Sequence, residues 1–255
     1  MINNRHLKVV SCIYVLSNDG IIERTMDCFV HQDYPDKELL IIGEECYREK
    51  ILTDYGQWPL KSIVATSQSS NLERFQLGVN AARGANITSW SDGVWWHPER
   101  LRLQLTALES GNHNASMVIG GIVFEDHSGI AYLYNDQCNR NSLVLRSEVL
   151  LRKWAVSTHF RFGDESFVDS LIMNENVIGV TNSYLCVEKR KPTGAHELSR
   201  AAAEIVMRIK NAPFDYGSKL MQGEELACET SFFCRLKNEL LKRVENSQRY
   251  HARGY

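Results

Sequence analysis

The sequence predicts an α/β protein with a mixed, mostly parallel sheet flanked by helices and followed by a helical C-terminal tail. Over the first 110 residues, short apolar runs alternate with segments whose apolar residues have helical spacing. Polar or acidic residues follow several of the apolar runs, where open α/β sheets place ligand contacts. After Gly194 the strand-like runs give way to longer segments of helical spacing.

Composition places the chain among ordinary soluble globular proteins. Of its 255 residues, 44% are hydrophobic and 24% are charged, and the net charge of -2 gives no drive toward nucleic acid. No apolar run approaches the roughly 20 residues of a membrane span. The seven cysteines are odd in number and form no C-x-x-C pair, so we expect reduced thiols in a cytoplasmic protein.

The N-terminal elements follow from two patterns. Runs rich in Val and Ile predict buried strands, and apolar residues spaced three or four apart predict helices. The first strand-helix-strand unit takes about 35 residues, the size of a βαβ crossover. In chain order, the predicted elements are strand Lys8–Leu16, helix Ile21–His31, strand Leu39–Ile42, strand Ser62–Thr66, a helix carrying Leu72, Phe75, Val79 and Ala82 with Gly84 as its C-cap, and strand Ile87–Trp90.

Three of these strands end at polar or acidic residues. Ser17 and Asn18 follow the first strand, Glu44 and Glu45 follow the second, and Asp92 follows the strand that ends at Trp90. Because the carboxyl ends of parallel strands meet at one edge of a sheet, we expect these groups to lie together. The local pattern around Asp92 also fits an ordinary strand-turn-helix with a solvated carboxylate.

The second half of the chain is more strand-like before its helical tail. Gly120 and Gly121 indicate a bulge or a close backbone approach in an apolar strand. Asp164 and Glu165 stand near the start of a helix, where capping alone would explain them. The predicted elements are strand Ala115–Phe124, a short strand at Leu143–Leu145, helix Ser147–Lys153, a helix with Val168, Leu171 and Ile172, and tail helices over Leu198–Ile209 and Gly223–Val244.

Six segments match one known pattern in order and spacing. They are Val10–Asn18 (compare V-S-V-I-I-P-T-Y-N), Thr25–Pro35 (S-x-x-x-Q-x-Y-P), Glu38–Glu45 (E-L-I-I-V-D-D), Asn71–Gly84 (N-x-G … A-x-G-x-Y-I), Trp96–Leu101 (h-P-x-R-L) and Gly163–Phe167 (G-E-D or G-D-x-x-F). Together they resemble the family 2 glycosyltransferases, which have the GT-A fold. The resemblance covers roughly residues 8 to 180.

The resemblance implies a nucleoside diphosphate sugar donor, often UDP-linked. The backbone from Val15 to Ser17, with Asn18 beside it, would lie against the nucleotide. Glu45 would hydrogen-bond the base, and Asp92 would reach the ribose, the diphosphate or a metal. The acceptor would be a hydroxyl of a glycan or lipid-linked molecule in cell-surface polysaccharide synthesis.

The resemblance also implies the catalytic segment and the domain plan. Asp164, beside Glu165, would be the general base that takes the acceptor proton during inverting transfer. Residues 1–194 would form the catalytic domain, with a nucleotide half (about 1–110) and an acceptor half (about 111–194). A lipid-linked acceptor would bring the protein to the inner face of the membrane. Residues 195–255 lie beyond the resemblance, and from their helical spacing we expect an extension that packs on the catalytic domain or joins two copies in a homo-oligomer.

The metal motif departs from the family pattern. Where a D-x-D followed by D is expected, the chain reads Ser91–Val94 (SDGV), so that Gly93 replaces a metal-binding carboxylate. Three explanations stay open. Mn²⁺ or Mg²⁺ binds through Asp92, diphosphate and water; Arg190 or Lys191 neutralises the diphosphate; or the domain has lost catalysis and acts as a nucleotide-sugar-binding or scaffold protein.

The remaining candidates have ordinary structural explanations beside the functional ones. Of Trp95 and Trp96, we assign one to the core and leave the other open as a sugar-stacking residue. His97 is expected at the surface or as a cap, and His196 either contacts diphosphate or metal or is structural. A nucleotidyltransferase would need a glycine-rich phosphate loop after the first strand, which Ser17–Gly20 does not supply.

Overall fold

The computed structural model describes residues 9–16, 22–111, 113–125, 130–156, 167, 170–172, 176–181, 185–190 and 204–208. Among these residues, no helix is both long and apolar enough to cross a bilayer. The elements are β1 (Val10–Val15), α1 (Ile22–Val30), β2 (Lys37–Gly43), α2 (Glu45–Tyr55), β3 (Leu60–Val64), α3 (Asn71–Ala81), β4 (Asn86–Trp90), β5 (Val94–Trp96), α4 (Arg100–Ser110), β6 (Ala115–Glu125), β7 (Ile130–Arg146), α5 (Ser147–Val156), β8 (Val177–Thr181), β9 (Cys186–Arg190) and β10 (Glu204–Arg208).

The described strands form one mixed sheet in the order β3-β2-β1-β4-β7-β6-β9-β5, with β10 paired to β7 and β8 paired to β6. The first four strands are parallel to one another. The long strand β7 then runs antiparallel to both β4 and β6. Strand β6 also pairs parallel with β8 and with β9. The predicted mixed α/β sheet is therefore confirmed.

Four of the described elements were not predicted from the sequence: α2, β5, β8 and β9. Helix α2 is almost entirely polar at its surface and buries only Ile51, so it carries no apolar stripe. Strand β5 has three residues, Val94 to Trp96, which is too short for a period to show. It is held by antiparallel pairing with β9.

The two glycine predictions had different outcomes. The bulge is confirmed, because Gly120 has a φ of 83° and the β6–β7 register shifts between Ile119 and Gly121. The predicted C-cap was wrong, because α3 already ends at Ala81. Gly84 instead allows two backbones to approach, since a Cβ there would lie 2.7 Å from the backbone nitrogen of Ser11.

The tail differs from its prediction where it is described. Glu204–Arg208 falls inside the helix predicted over Leu198–Ile209, but it is strand β10, paired antiparallel with β7. A ladder partner on β7 and the β-branched Ile205 and Val206 favour the strand over the local helical spacing. The other predicted tail helix, Gly223–Val244, lies outside the described residues.

Two of the family-like segments meet at the start of α4. The side chain of Gln32 donates from Nε2 to the carbonyl of His97 (2.9 Å) and accepts at Oε1 from the backbone N–H of Leu101 (3.2 Å). Next to it, Arg102 Nε donates to the carboxylate of Asp33 at 2.7 Å. The residue preceding α4 makes no side-chain cap hydrogen bond, so Gln32 supplies the cap from a distant part of the chain.

Arg100 joins α4 to the sheet. It is fully buried, with its guanidinium 3.7 Å from the ring centroid of Trp96 and 5.2 Å from that of Trp90. It donates to Oε1 of Gln104 (2.9 Å) and to Oγ1 of Thr88 on β4 (2.8 Å). Burial lowers the pKa of Arg100 to about 10. These contacts fix the loop between β4 and α4, where Asp92 lies.

Candidate functional site

The carboxyl ends of β1, β2, β3 and β4 lie at one edge of the sheet. Their register pairs Val15 with Ile42 and Tyr14 with Trp90. Glu44 and Asp92, which follow β2 and β4, therefore come to the same edge, as the sequence predicts. Ser17 and Asn18, predicted at this edge after β1, lie outside the described residues.

The two glutamates after β2 have different surroundings. Glu45 begins α2 with a side chain that is 68% exposed and lies 3.7 Å from Arg48 in the next turn of the same helix. Glu44 is 33% exposed and lies 3.5 Å from the guanidinium of Arg74. Of the pair, Glu44 is the carboxylate that the fold holds against the sheet edge. The side chain of Val15 is half-buried and packs against the core on the α3 side of the sheet.

Arg74 is a residue of this edge that the sequence analysis missed. It is buried on α3 and donates to the backbone carbonyls of Ser69 (3.2 Å), Thr66 (3.2 Å) and Leu16 (3.5 Å). With its ion pair to Glu44, it connects the segments that follow β1, β2 and β3. The signal was weak, because an arginine beside the apolar face of a helix is usually solvated.

The position of Arg74 follows from how α3 starts and packs. A capping box begins the helix: Ser70 Oγ accepts from the N–H of Glu73 (3.2 Å), and Glu73 Oε2 accepts from the N–H of Ser70 (2.7 Å). Gly78 brings the helix close to the sheet, since a Cβ there would lie 2.6 Å from Cγ2 of Ile13. The first turn of α3, with Arg74, is thereby pressed against the strand ends.

Asp92 lies beside two buried hydroxyl groups. The indole of Trp90 donates to the backbone carbonyl of Thr25 at 3.2 Å, which brings α1 to the end of β4. The hydroxyl of Tyr14 faces the Thr25 side chain and the Asp92 carboxylate. Burial raises the pKa of Tyr14, and the negative charge of Asp92 raises it further, so the phenol stays protonated and able to donate.

Gly93 is not required by the backbone. Among the described residues, a Cβ there would meet only Oγ of Ser91, at 3.7 Å, and the residue does not have a left-handed φ. The glycine therefore removes a carboxylate without any evident packing reason. Among the described residues, no three His, Cys, Asp or Glu side chains are grouped closely enough to hold a metal ion.

A dedicated metal centre does not fit this donor set, because Asp92 is the one carboxylate left in the motif. Mg²⁺ and Mn²⁺ prefer several oxygen ligands, but they can take most of these from phosphate and water. The arrangement therefore suits at most a cation that is bound mainly by the diphosphate of a ligand.

The two tryptophans are core residues, and His97 is half-buried beside them. Trp95 is 4% exposed and Trp96 is 1% exposed, so the alternative of a stacking tryptophan was wrong for both. His97 Nδ1 accepts from the backbone N–H of Glu99 at 3.2 Å, which agrees with the predicted capping role. Burial lowers the pKa of His97 and favours the neutral imidazole that can accept this hydrogen bond.

A polar chain continues from β4 across β7 to β9. Ser89 Oγ donates to the carbonyl of Asn141 (3.3 Å), and Asn141 Nδ2 donates to Glu188 (3.1 Å). Glu188 pairs with Val94 across β5 and β9, two residues beyond Asp92. These groups are partly or fully exposed, so they offer hydrogen bonds to a hydroxylated ligand beside Asp92.

The predicted catalytic segment is described only at its end. Phe167 and Leu171 are buried in the core on the α3 side of the sheet, which anchors the helical segment after Asp164 and Glu165. The candidates that lie outside the described residues, in whole or in their side chains, are Ser17, Asn18, Asp164, Glu165, Arg190, Lys191 and His196.

Comparison with known proteins gives a fold but no sequence relative. No protein-family model matches the chain, and no curated protein matches it in sequence. S. aureus TarS 1–349 matches with a TM-score of 0.55 at 13% identity, over 71% of this chain and 60% of that fragment. The same TarS fragment in complex with UDP-GlcNAc matches with a TM-score of 0.56 at 11% identity, over 93% and 72% of the two chains.

The mannosyltransferase PcManGT from Pyrobaculum calidifontis, in complex with GDP-Man and Mn²⁺, matches with a TM-score of 0.55 at 15% identity, over 72% of this chain and 58% of that chain. In the first TarS match and in the mannosyltransferase match, the chain therefore spans about three fifths of the other protein's length. These likenesses show that the protein has the GT-A glycosyltransferase fold.

Proposed function

We propose that the protein is an inverting glycosyltransferase that moves a sugar from a nucleoside diphosphate sugar, most favourably UDP-linked, to a hydroxyl of a glycan or lipid-linked acceptor. The observation that carries this proposal is the position of Asp92. It follows β4 at the carboxyl edge of a GT-A sheet, the fold shared with structures that hold UDP-GlcNAc or GDP-Man. We place this activity in cell-surface polysaccharide synthesis, in the cytoplasm at the inner face of the membrane.

The donor would bind along the edge formed by β1 to β4. The backbone after Val15 would lie against the nucleotide, and a glutamate after β2 would accept a hydrogen bond from an N–H of the base. The resemblance assigns that role to Glu45, but the ion pair with Arg74 favours Glu44, because it holds the carboxylate at the edge. The carboxylate of Asp92 would accept hydrogen bonds from the ribose hydroxyls.

The transfer step needs a base and a way to balance charge. Asp164 would take the proton of the acceptor hydroxyl as its oxygen forms a bond to the anomeric carbon. The bond from that carbon to the diphosphate breaks on the opposite side, and the electron pair leaves with the diphosphate. Arg190 or Lys191 would offset this charge, and a Mn²⁺ or Mg²⁺ ion carried by the diphosphate would supply further positive charge.

A non-catalytic role is the second candidate, and Gly93 favours it. A domain that binds a nucleotide sugar without transferring it has no need of a carboxylate at that position. In this case residues 195–255 would serve to bind a partner transferase or a second copy. In the catalytic case the same segment would pack on the domain or join a homo-oligomer.

Calorimetry separates nucleotide binding from its absence. We expect UDP to bind the full chain more tightly than GDP or dTDP. If the affinity requires Mn²⁺, the cation explanation is supported; binding without Mn²⁺ supports Arg190 or Lys191. If no nucleotide binds with or without the metal, the donor proposal is wrong.

Asp164 separates a transferase from a scaffold. We expect Asp164→Asn to reduce glycan assembly in cells by at least about a hundredfold, the scale of losing a general base, without weakening UDP binding. Asp54→Asn, at an exposed position of α2, is the matched control and should leave both unchanged. If glycan assembly continues in the Asp164→Asn variant, the transferase proposal is wrong and the scaffold role is the one supported.

A further inference from the structure

We propose that Tyr14, together with Thr25, is a positioning residue that orients the Asp92 carboxylate toward the ribose of the donor. The proposal rests on the proposed function, because it assumes that a nucleotide binds at this edge. It assigns to the buried hydroxyls a specificity for ribose over sugars that lack the 2′ and 3′ hydroxyls.

The sheet register brings the three residues together. Tyr14 pairs with Trp90 across β1 and β4, and Asp92 follows Trp90 by two residues. The hydrogen bond from the Trp90 indole to the carbonyl of Thr25 holds α1 against the same point. The Tyr14 hydroxyl consequently lies near both the Thr25 side chain and the Asp92 carboxylate.

The two hydroxyl groups are buried but incompletely satisfied. Neither the Tyr14 oxygen nor Oγ1 of Thr25 is accessible to solvent, and neither has a hydrogen bond of good geometry to any residue that the structure describes. A buried hydroxyl without a good partner costs free energy, so such a pair needs a reason to persist. A rotation of the partly exposed Asp92 side chain toward Tyr14 would complete the hydrogen bond.

Tyr14 is a departure from the family-like pattern. The strand Val10–Asn18 resembles V-S-V-I-I-P-T-Y-N, in which the fifth position is Ile, an apolar residue with no hydrogen to donate. The same chain has lost the neighbouring carboxylate at Gly93. A tyrosine hydroxyl that donates to Asp92 would hold the remaining carboxylate in one orientation, which favours hydrogen bonds from ribose hydroxyls.

The test compares two ligands that differ only at the ribose. Tyr14→Phe removes the hydroxyl and keeps the ring, and Thr25→Val removes the second hydroxyl. We expect Tyr14→Phe to weaken UDP binding about tenfold, the scale of one hydrogen bond to a charged group, and to leave 2′,3′-dideoxy-UDP binding unchanged. Tyr34→Phe, a buried tyrosine just before the start of β2 and so at the opposite sheet edge, is the control and should change neither.

A double-mutant cycle with Asp92→Asn tests whether Tyr14 acts through Asp92. If it does, Tyr14→Phe has no further effect on UDP affinity once Asp92 is replaced. Equal weakening of both ligands by Tyr14→Phe, or full additivity with Asp92→Asn, would make Tyr14 a packing residue and overturn the inference alone. Failure of the wild-type chain to bind UDP would overturn the proposed function and this inference together.

Discussion

Replacing Arg74 with methionine should loosen the edge that holds the proposed nucleotide site. Methionine keeps an unbranched apolar stem but removes the three hydrogen bonds to the carbonyls of Leu16, Thr66 and Ser69. At 3.2 to 3.5 Å these bonds are long, so each contributes about 1 kcal/mol, below the usual range of about 1.5 to 3 kcal/mol for a charged donor. The ion pair to the partly exposed Glu44 adds less than about 1 kcal/mol, which gives a loss of about 3 kcal/mol.

Urea unfolding followed by tryptophan fluorescence measures this loss, and calorimetry with UDP measures its effect on binding. We expect Arg74→Met to weaken UDP binding as well, because the segments after three strands lose their common contact. Arg48→Met is the matched control. Its ion pair with Glu45 is exposed and lies within one helix, so its loss should cost less than about 0.5 kcal/mol and leave UDP affinity unchanged.

Two results would refute the reasoning on Arg74. A loss of stability below about 1 kcal/mol would show that the strand ends hold their positions without the guanidinium. A loss of about 3 kcal/mol with unchanged UDP affinity would show that Arg74 stabilises the fold but does not shape the site.

Three further predictions concern the metal motif, acid stability and the start of α4. Gly93→Asp fits the open space at that position and should raise Mn²⁺-dependent UDP affinity at least about tenfold in calorimetry, whereas no gain would mean that the cation does not lie there. Burial raises the pKa of Glu38, but hydrogen bonds from Ser11 (2.6 Å) and Arg83 (2.7 Å) outweigh it and leave the pKa lowered. The stability that these hydrogen bonds give is present above the ordinary pKa of about 4.5 and is lost as the pH falls through the pKa of the folded state. Ser11→Ala should therefore move the midpoint of acid unfolding, followed by circular dichroism, to higher pH. An unmoved midpoint would contradict this account. Gln32→Ala should cost about 2 to 3 kcal/mol in urea unfolding, because it orphans the buried start of α4, and a loss under about 1 kcal/mol would exclude the capping role.

The N-terminal half of the fold could be predicted because its patterns are local. Strands such as Leu39–Ile42 are continuous apolar runs bounded by turns, and their parallel order follows from the alternation with helices. For the site, the sequence predicted only that polar and acidic residues gather at the carboxyl edge of the sheet. Arg74 and Tyr14 gain their roles from partners that are distant in sequence, Leu16 and Asp92 among them, and no periodicity reports such pairs.

The family-like segments divide into two kinds once their contacts are known, and the division bears on whether the protein is active. Gln32 and Arg100 bind backbone groups and buried side chains, so their presence is explained by the fold alone. They lie in the segments that resemble S-x-x-x-Q-x-Y-P and h-P-x-R-L. Among the described residues, no contact of Gly93 requires a glycine, so the fold does not explain this residue. We infer that it reflects a change in how the ligand is bound. A chain can keep the first kind after losing catalysis. The proposed activity therefore depends on Asp92 and Asp164, and only variants at such positions distinguish an enzyme from a domain that has kept the fold.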